Sequence, residues 1–209
     1  MIYLKNSGIE IYNKGACSKT LYFLAAERVE PPVPDGCCVV MIYPYEWTEM
    51  MTPWQHSGKG MGKTGGGAEF SQEFVPNLLT YVENGLEDKV AKRGIAGYSL
   101  GGLEAFYMAC VEGIFDFAGS VSGSFWYPGA VEYFEKNPMF ERVRNVYMSL
   151  GEREERVKDP ERRTVRRNTD AIAEWLEAAR RLRYEINCGG HFTDIEKRIG
   201  NCAGYFAGT

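Results

Sequence analysis

The sequence predicts an α/β fold in which helices flank a mostly parallel central sheet. Three observations predict it. Residues 21–26 (LYFLAA) and 38–43 (CVVMIY) are short unbroken apolar runs, which suit strands buried on both faces. Such runs alternate along the chain with segments whose apolar residues recur at helical spacing. The 209 residues, 44% hydrophobic and 25% charged, have an ordinary globular balance and suit one domain over residues 1–209.

Taken in order, residues 2–4 and 9–12 are split by Asn6-Ser7-Gly8 and read as a small hairpin. Residues 30–36 carry three prolines and form a loop. Residues 45–67, with two tryptophans, a proline and many glycines, are the least regular stretch; a loop this long is usually functional or mobile. Phe70, Phe74, Val75, Leu78, Leu79 and Val82 then recur at helical spacing, and Pro76 kinks that helix or marks its start. Residues 93–98 read as a strand ending in a glycine turn. Leu103, Phe106, Tyr107, Cys110 and Val111 read as an amphipathic helix. Residues 117–122 form a strand, 128–137 a short helix, and 145–150 a strand stopped by Gly151. The charged run 152–167 leads into a helix with Ile172, Trp175, Leu176, Ala179 and Leu182 on one face, and Asp170 reads as a residue at a helix start. Residues 183–187 are the last strand and 194–205 a closing helix.

Charge and composition exclude several classes. A net charge of −4 and a pI of about 5.4, with no basic stripe, argue against nucleic acid. No run of about 18 apolar residues spans a membrane. The opening MIYLKNSGIE is too short and too polar for a secretory core, so the expected location is the cytoplasm. The six cysteines form no C-x-x-C and match no zinc spacing; reduced thiols and no metal are expected.

Gly97-Tyr98-Ser99-Leu100-Gly101 matches G-x-S-x-G between a predicted strand and a predicted helix, the setting of a nucleophile elbow. Side chains two residues either side of the serine would collide, hence the glycines. The helix N-terminus aims amides at developing negative charge. A plain strand–turn–helix corner with an idle serine is the alternative. A serine needs a base. Only His56 and His191 are available, and His191, in Cys188-Gly189-Gly190-His191-Phe192, follows the last strand on a glycine-freed loop. Serine, acid, histidine is the α/β-hydrolase order. His56 precedes the serine and suits the pocket wall or a substrate contact. The acid, which holds the imidazole tautomer, should follow the strand 145–150, where Glu152, Glu154 and Glu155 compete.

These motifs, with Ser-Leu-Gly-Glu-Arg-Glu-Glu at 149–155 and Arg198 shortly after Gly-Gly-His-Phe, resemble the esterase-D-like branch of the α/β-hydrolases. That branch includes S-formylglutathione hydrolases and siderophore trilactone esterases. Trp47 and the Thr52-Pro53-Trp54 segment resemble an element of uncharacterised members. The resemblance runs from about Leu21 onward. It implies a compact α/β-hydrolase fold without a large lid, an acid three residues after the glycine that ends its strand (Glu154 here), and no cofactor. It also implies one oxyanion amide at Leu100. Relatives often carry His-Gly after the strand matching 21–26, where this chain reads Ala25-Ala26-Glu27-Arg28; the second amide is expected near Ala26 or from residues 45–47.

Residues 57–64 nearly spell a phosphate-binding loop, but the motif needs glycine where Ser57 stands and no strand precedes it. They read instead as a flap near the pocket, its lysines placed for an anionic substrate. Trp47, Trp126 and Tyr127 are candidate substrate contacts, the last two lying just past a strand's C-terminal end. The expected function is cleavage of a small carboxylic ester or thioester through an acyl-serine. Acyl transfer on the same triad, and a non-catalytic binding protein that kept the fold, are the alternatives.

Overall fold

The computed structural model describes residues 2–3, 7–13, 15, 17–57 and 61–209. Their centre is an eight-stranded sheet in the order β1-β2-β4-β3-β5-β6-β7-β8. β3 (Lys19–Leu24), β4 (Cys37–Pro44), β5 (Lys92–Tyr98), β6 (Phe117–Val121), β7 (Asn145–Gly151) and β8 (Arg181–Asn187) run parallel. β2 (Ser7–Tyr12) adds antiparallel to β4, and β1 (Ile2–Tyr3) antiparallel to β2. The predicted hairpin is therefore present; Leu4, assigned to it, lies outside the described residues.

The apolar runs form strands because both sheet faces are covered. Along β3, Leu21 and Phe23 meet Ile199, Cys202 and Phe206 of α7 (Ile195–Ala207). Tyr22 and Leu24 point the other way, into the layer built by α4 (Leu100–Val111), α5 (Ala130–Lys136), α6 (Val165–Ala179) and the helical residues 67–84, where Tyr22 meets Phe74. The period of two thus divides one strand between two cores. α4 departs from the expected amphipathic pattern. Ala105, Met108 and Ala109 are buried beside Leu103 and Phe106, while Val111 is exposed. Central in its layer, it is covered on nearly every side.

Other expectations shift locally. The helix containing Pro76 is three consecutive segments: α2 (Gly67–Glu73), a π-helical turn (Phe74–Leu79) and α3 (Thr80–Asn84). A proline offers no N–H to the ladder, and a π turn accommodates the fault. The first part of the stretch 45–67 is more regular than expected: α1 (Trp47–Met50) forms, and Met51, Thr52 and Pro53 are buried after it. Asp170 sits inside α6, which begins at Val165; there it pairs with Arg166 at 2.9 Å and accepts from Tyr184 at 2.7 Å. No helix among the described residues is long and apolar enough to cross a membrane.

The parallel strands bring their C-terminal ends to one edge. Gly97 lies level with Leu24 and Ser120, Val121 with Ser149, and Ser149 with Glu185. The segments that leave β3, β5, β6, β7 and β8 therefore share one rim, where open α/β sheets place their ligands.

Candidate active site

Ser99 connects β5 to α4 at φ 59 and ψ −122, a conformation that costs free energy outside glycine and persists only where the surroundings impose it. The imposing contacts are close. A Cβ on Gly97 would lie 2.2 Å from the Gly101 carbonyl oxygen, and one on Gly101 would lie 2.7 Å from the Leu24 carbonyl oxygen and 2.9 Å from the Trp47 ring. Only hydrogen fits at either position, so the chain folds back on itself and the serine projects from the rim.

His191 comes from the loop after β8. Gly189, at φ +93, turns that loop back. The imidazole Nε2 lies 3.0 Å from Ser99 Oγ and Nδ1 lies 2.7 Å from Glu154 Oε2. A carboxylate at Nδ1 favours the tautomer with its proton there, leaving the Nε2 lone pair toward the serine. The Tyr98 hydroxyl donates to the His191 carbonyl, and the two rings lie 5.4 Å apart. Of the three carboxylates after β7, Glu154 reaches the ring. Glu152 accepts from the Gly189 amide at 3.3 Å, and Glu155 is exposed.

Glu154 is held on every side. Its Oε1 accepts from the Gly151 amide at 2.6 Å, the Ser122 hydroxyl at 2.8 Å and Arg198 Nη1 at 3.2 Å. Burial alone would push this carboxyl up. Hydrogen bonding and charge from His191, then the Gly151 amide and Ser122, outweigh burial and hold it below its ordinary value of 4.5. Arg198 also donates to Ser122 Oγ at 2.8 Å and, through Nη2, to the carbonyls of Cys188 and Gly190, each at 3.1 Å. The Arg198 and Glu154 side chains are 1% and 3% exposed, against 27% for His191, so a desolvated ion pair stands behind a ring that meets the cavity. Removing one partner of such a pair costs about 3–5 kcal/mol.

These groups face a cavity of about 490 Å³, within the range of small-molecule sites. Ala25, Ala26, Trp47, Met61, Trp126 and Phe192 supply much of its wall. Leu100 opens α4, where the first amides of a helix have no intrahelical acceptor. Ala26 follows Ala25, whose own amide is committed to the Ile42 carbonyl at 3.0 Å. Tyr127 does not reach this cavity. It is fully buried, with its hydroxyl on the Trp54 carbonyl at 2.6 Å, because the chain turns inward before α5 and leaves Trp126 on the rim. His56 also lies away from the cavity, 5.7 Å from the Tyr127 ring and 3.4 Å from Glu161. Of the near phosphate-loop, Gly58, Lys59 and Gly60 lie outside the described residues; Lys63 pairs with Glu49 at 2.5 Å, and Met61 lines the cavity. Among the described residues no cluster of three or more potential metal ligands occurs.

Two contributors to this array, Ser122 and Ser124, carried little signal in the sequence, whereas Arg198 stands among the motifs that resemble the esterase-D-like branch. Ser122, at φ 51, and Ser124, whose Oγ is 3.4 Å from that of Ser99, follow β6. Their position just past the end of the strand beside the elbow is the only clue. Arg198 has a stronger one: it shares a helical stripe with Ile195, Ile199 and Cys202, and a charge on an apolar stripe signals a buried partner.

The sheet order and the elbow define the α/β-hydrolase fold, with a serine, a histidine and a carboxylate converging at its rim. Solved structures show the same fold. The siderophore hydrolase EstA from Aspergillus nidulans superposes with a TM-score of 0.70 at 17% identity, covering 97% of this chain and 90% of that one. An IroE-like serine hydrolase from Shewanella oneidensis superposes at 0.72 and 16% identity, covering 95% and 74%. An S-formylglutathione hydrolase from Agrobacterium tumefaciens superposes at 0.60 and 11% identity, covering 97% and 88%. Their names are of the kind the sequence motifs resemble, and at such identities the likeness establishes the fold alone. A curated protein of Bacillus subtilis (strain 168), the uncharacterized protein YbbA, is 26% identical over 145 residues, 66% of this chain and 58% of that protein, little more than half its length. No protein-family model matches the chain.

Proposed function

We propose that the protein is a serine esterase that cleaves a small carboxylic ester or thioester through an acyl-serine. One observation carries the reading: Ser99 Oγ, the His191 imidazole and Glu154 form a chain of 3.0 Å and 2.7 Å contacts that opens onto a cavity. Among the solved structures that share its fold are a siderophore hydrolase, an IroE-like serine hydrolase and an S-formylglutathione hydrolase, and their activities support ester or thioester cleavage.

In this reading Ser99 Oγ attacks the ester carbonyl while its proton passes to His191 Nε2. Glu154 holds the ring and stabilises the imidazolium. The Leu100 amide and a second amide near Ala26 receive the oxyanion; one such donor is worth about 3–4 kcal/mol of transition-state stabilisation. His191 then protonates the leaving alcohol or thiol and activates water against the acyl-serine. Trp47 and Trp126 wall the substrate. No metal or organic cofactor enters the steps.

The test is hydrolysis of short p-nitrophenyl esters by wild type and Ser99→Ala, with a fluorophosphonate label on both. Turnover and labelling lost together support the acyl-serine. A folded wild type that neither turns over nor labels points to a binding protein, and turnover that survives Ser99→Ala puts the nucleophile elsewhere. Turnover that rises on adding an acceptor alcohol, with the acyl group recovered on it, indicates a transferase.

A further inference from the structure

We propose that Arg198 is a positioning residue which, acting through Ser122 and Glu154, sets how tightly the Glu154–His191 pair holds a proton and fixes the histidine loop over Ser99. The inference rests on the serine-esterase reading and deepens it.

The geometry carries it. Arg198 lies wholly inside the protein on α7, which packs on the sheet face opposite α4. A buried guanidinium is costly unless its donors are spent on fixed acceptors; in Arg198 the two Nη groups are so spent, while Nε has no partner among the described residues. Here Nη2 takes two carbonyls of the loop that presents His191, those of Cys188 and Gly190. Nη1 takes Ser122 Oγ and Glu154 Oε1. Ser122 closes the circuit by donating to the same Glu154 oxygen. One side chain thus ties the loop of the base to the acid that orients it.

The electrostatic consequence follows from the two oxygens of Glu154. Oε2 faces the imidazole and Oε1 faces Arg198. The guanidinium compensates part of the carboxylate charge, so the pair gives up its proton more readily than a lone buried carboxylate and imidazole would. Other titratable or charged groups around the pair are fewer or more distant. Tyr98 of β5 meets the His191 carbonyl and senses both Arg198 and Glu154. Tyr184 of β8 senses Glu154 while bonded to Asp170. Glu152 sits on the Gly189 amide. Glu27 and Arg162 line the cavity, the latter with its guanidinium 5.2 Å over the Trp126 ring. Of these cations and anions, Arg198 is the one in contact with the acid.

The test is the pH profile of kcat/KM on a neutral p-nitrophenyl ester for wild type, Arg198→Met, Arg198→Lys and Ser122→Gly. In Arg198→Met the acid limb is expected to move up by about one pH unit, a roughly tenfold tighter hold on the proton. Arg198→Lys retains the cation, and its limb returns toward wild type even where the plateau is lower. Ser122→Gly removes the bridging hydroxyl, and glycine adopts φ 51 without strain, so a smaller upward shift is expected. An Arg198→Met enzyme slowed equally at every pH, with its acid limb unmoved, overturns the proposal and leaves Arg198 a structural prop. If that variant does not fold, Ser122→Gly decides: a raised limb supports the circuit and an unmoved limb overturns it. Failure of the esterase reading shows separately, as a wild type without Ser99-dependent turnover.

Discussion

His191 Nε2 lies 3.0 Å from Ser99 Oγ although 92 residues separate the two in the chain. The contact exists because β5 and β8 are parallel strands of one sheet and end at the same edge. It needs no local sequence relation between the residues. The strained elbow at one end and the Arg198-held loop at the other each fix one partner.

The acid is the first matter to test. Glu154→Gln keeps the size of the side chain and removes the charge that supports an imidazolium. kcat should fall by about 10²–10⁴-fold. Glu152→Gln and Glu155→Gln should stay near wild type, since neither side chain meets the ring. Steady-state kinetics on one ester separate the three; equal losses in all of them would argue against a single acid.

The elbow glycines differ sharply from the loop glycines. Gly97→Ala sets a Cβ 2.2 Å from the Gly101 carbonyl oxygen, whereas nothing lies within 4 Å of a Cβ at Gly190. Gly97→Ala should lose about 1–3 kcal/mol of stability or more, together with activity. Gly190→Ala should remain within about 0.5 kcal/mol of wild type. Urea denaturation with unchanged slope measures both.

Glu104 offers a pH-dependent test of the core. It is fully buried on α4, and neither carboxyl oxygen has a hydrogen-bond partner among the described residues. Burial raises it well above its ordinary value of 4.5, so the folded chain keeps a proton that the unfolded chain releases. Its contribution is therefore present at low pH and is lost as pH rises above 4.5 toward the folded value. Glu104→Gln cannot ionise. The Tm of the variant minus that of wild type should grow from pH 5 to pH 8; a constant difference would show that no proton is taken up there on folding.

Trp126 and Tyr127 are neighbours with opposite expected effects. Trp126→Ala opens the cavity wall, and KM for an ester with a bulky acyl group should rise about tenfold while kcat changes little. Tyr127→Phe removes the hydroxyl on the Trp54 carbonyl and should cost about 1 kcal/mol of stability with KM unchanged. Kinetics and thermal melts on the two variants, with a KM effect in Tyr127→Phe as the contrary result, check the assignment.

The sequence by itself determined the strand–elbow–helix, because Gly97 and Gly101 are needed wherever a serine turns that tightly, and it set the order of serine, carboxylates and histidine. Unbroken apolar strands dictated a sheet covered on both faces. Local pattern did not determine which carboxylate meets the ring. Glu152, Glu154 and Glu155 are alike to local pattern; the family resemblance implied Glu154, and the turn after β7, closed by the Gly151 amide on Glu154 at 2.6 Å, is what brings that side chain to the ring. Tyr127 and Trp126 are equally aromatic and adjacent, and only the packing before α5 turns one inward. Arg198 and Ser122 needed the fold as well. The free energy of a buried charge depends on partners from α7, the β8 loop and the ends of β6 and β7, and such partners come together only when the sheet does.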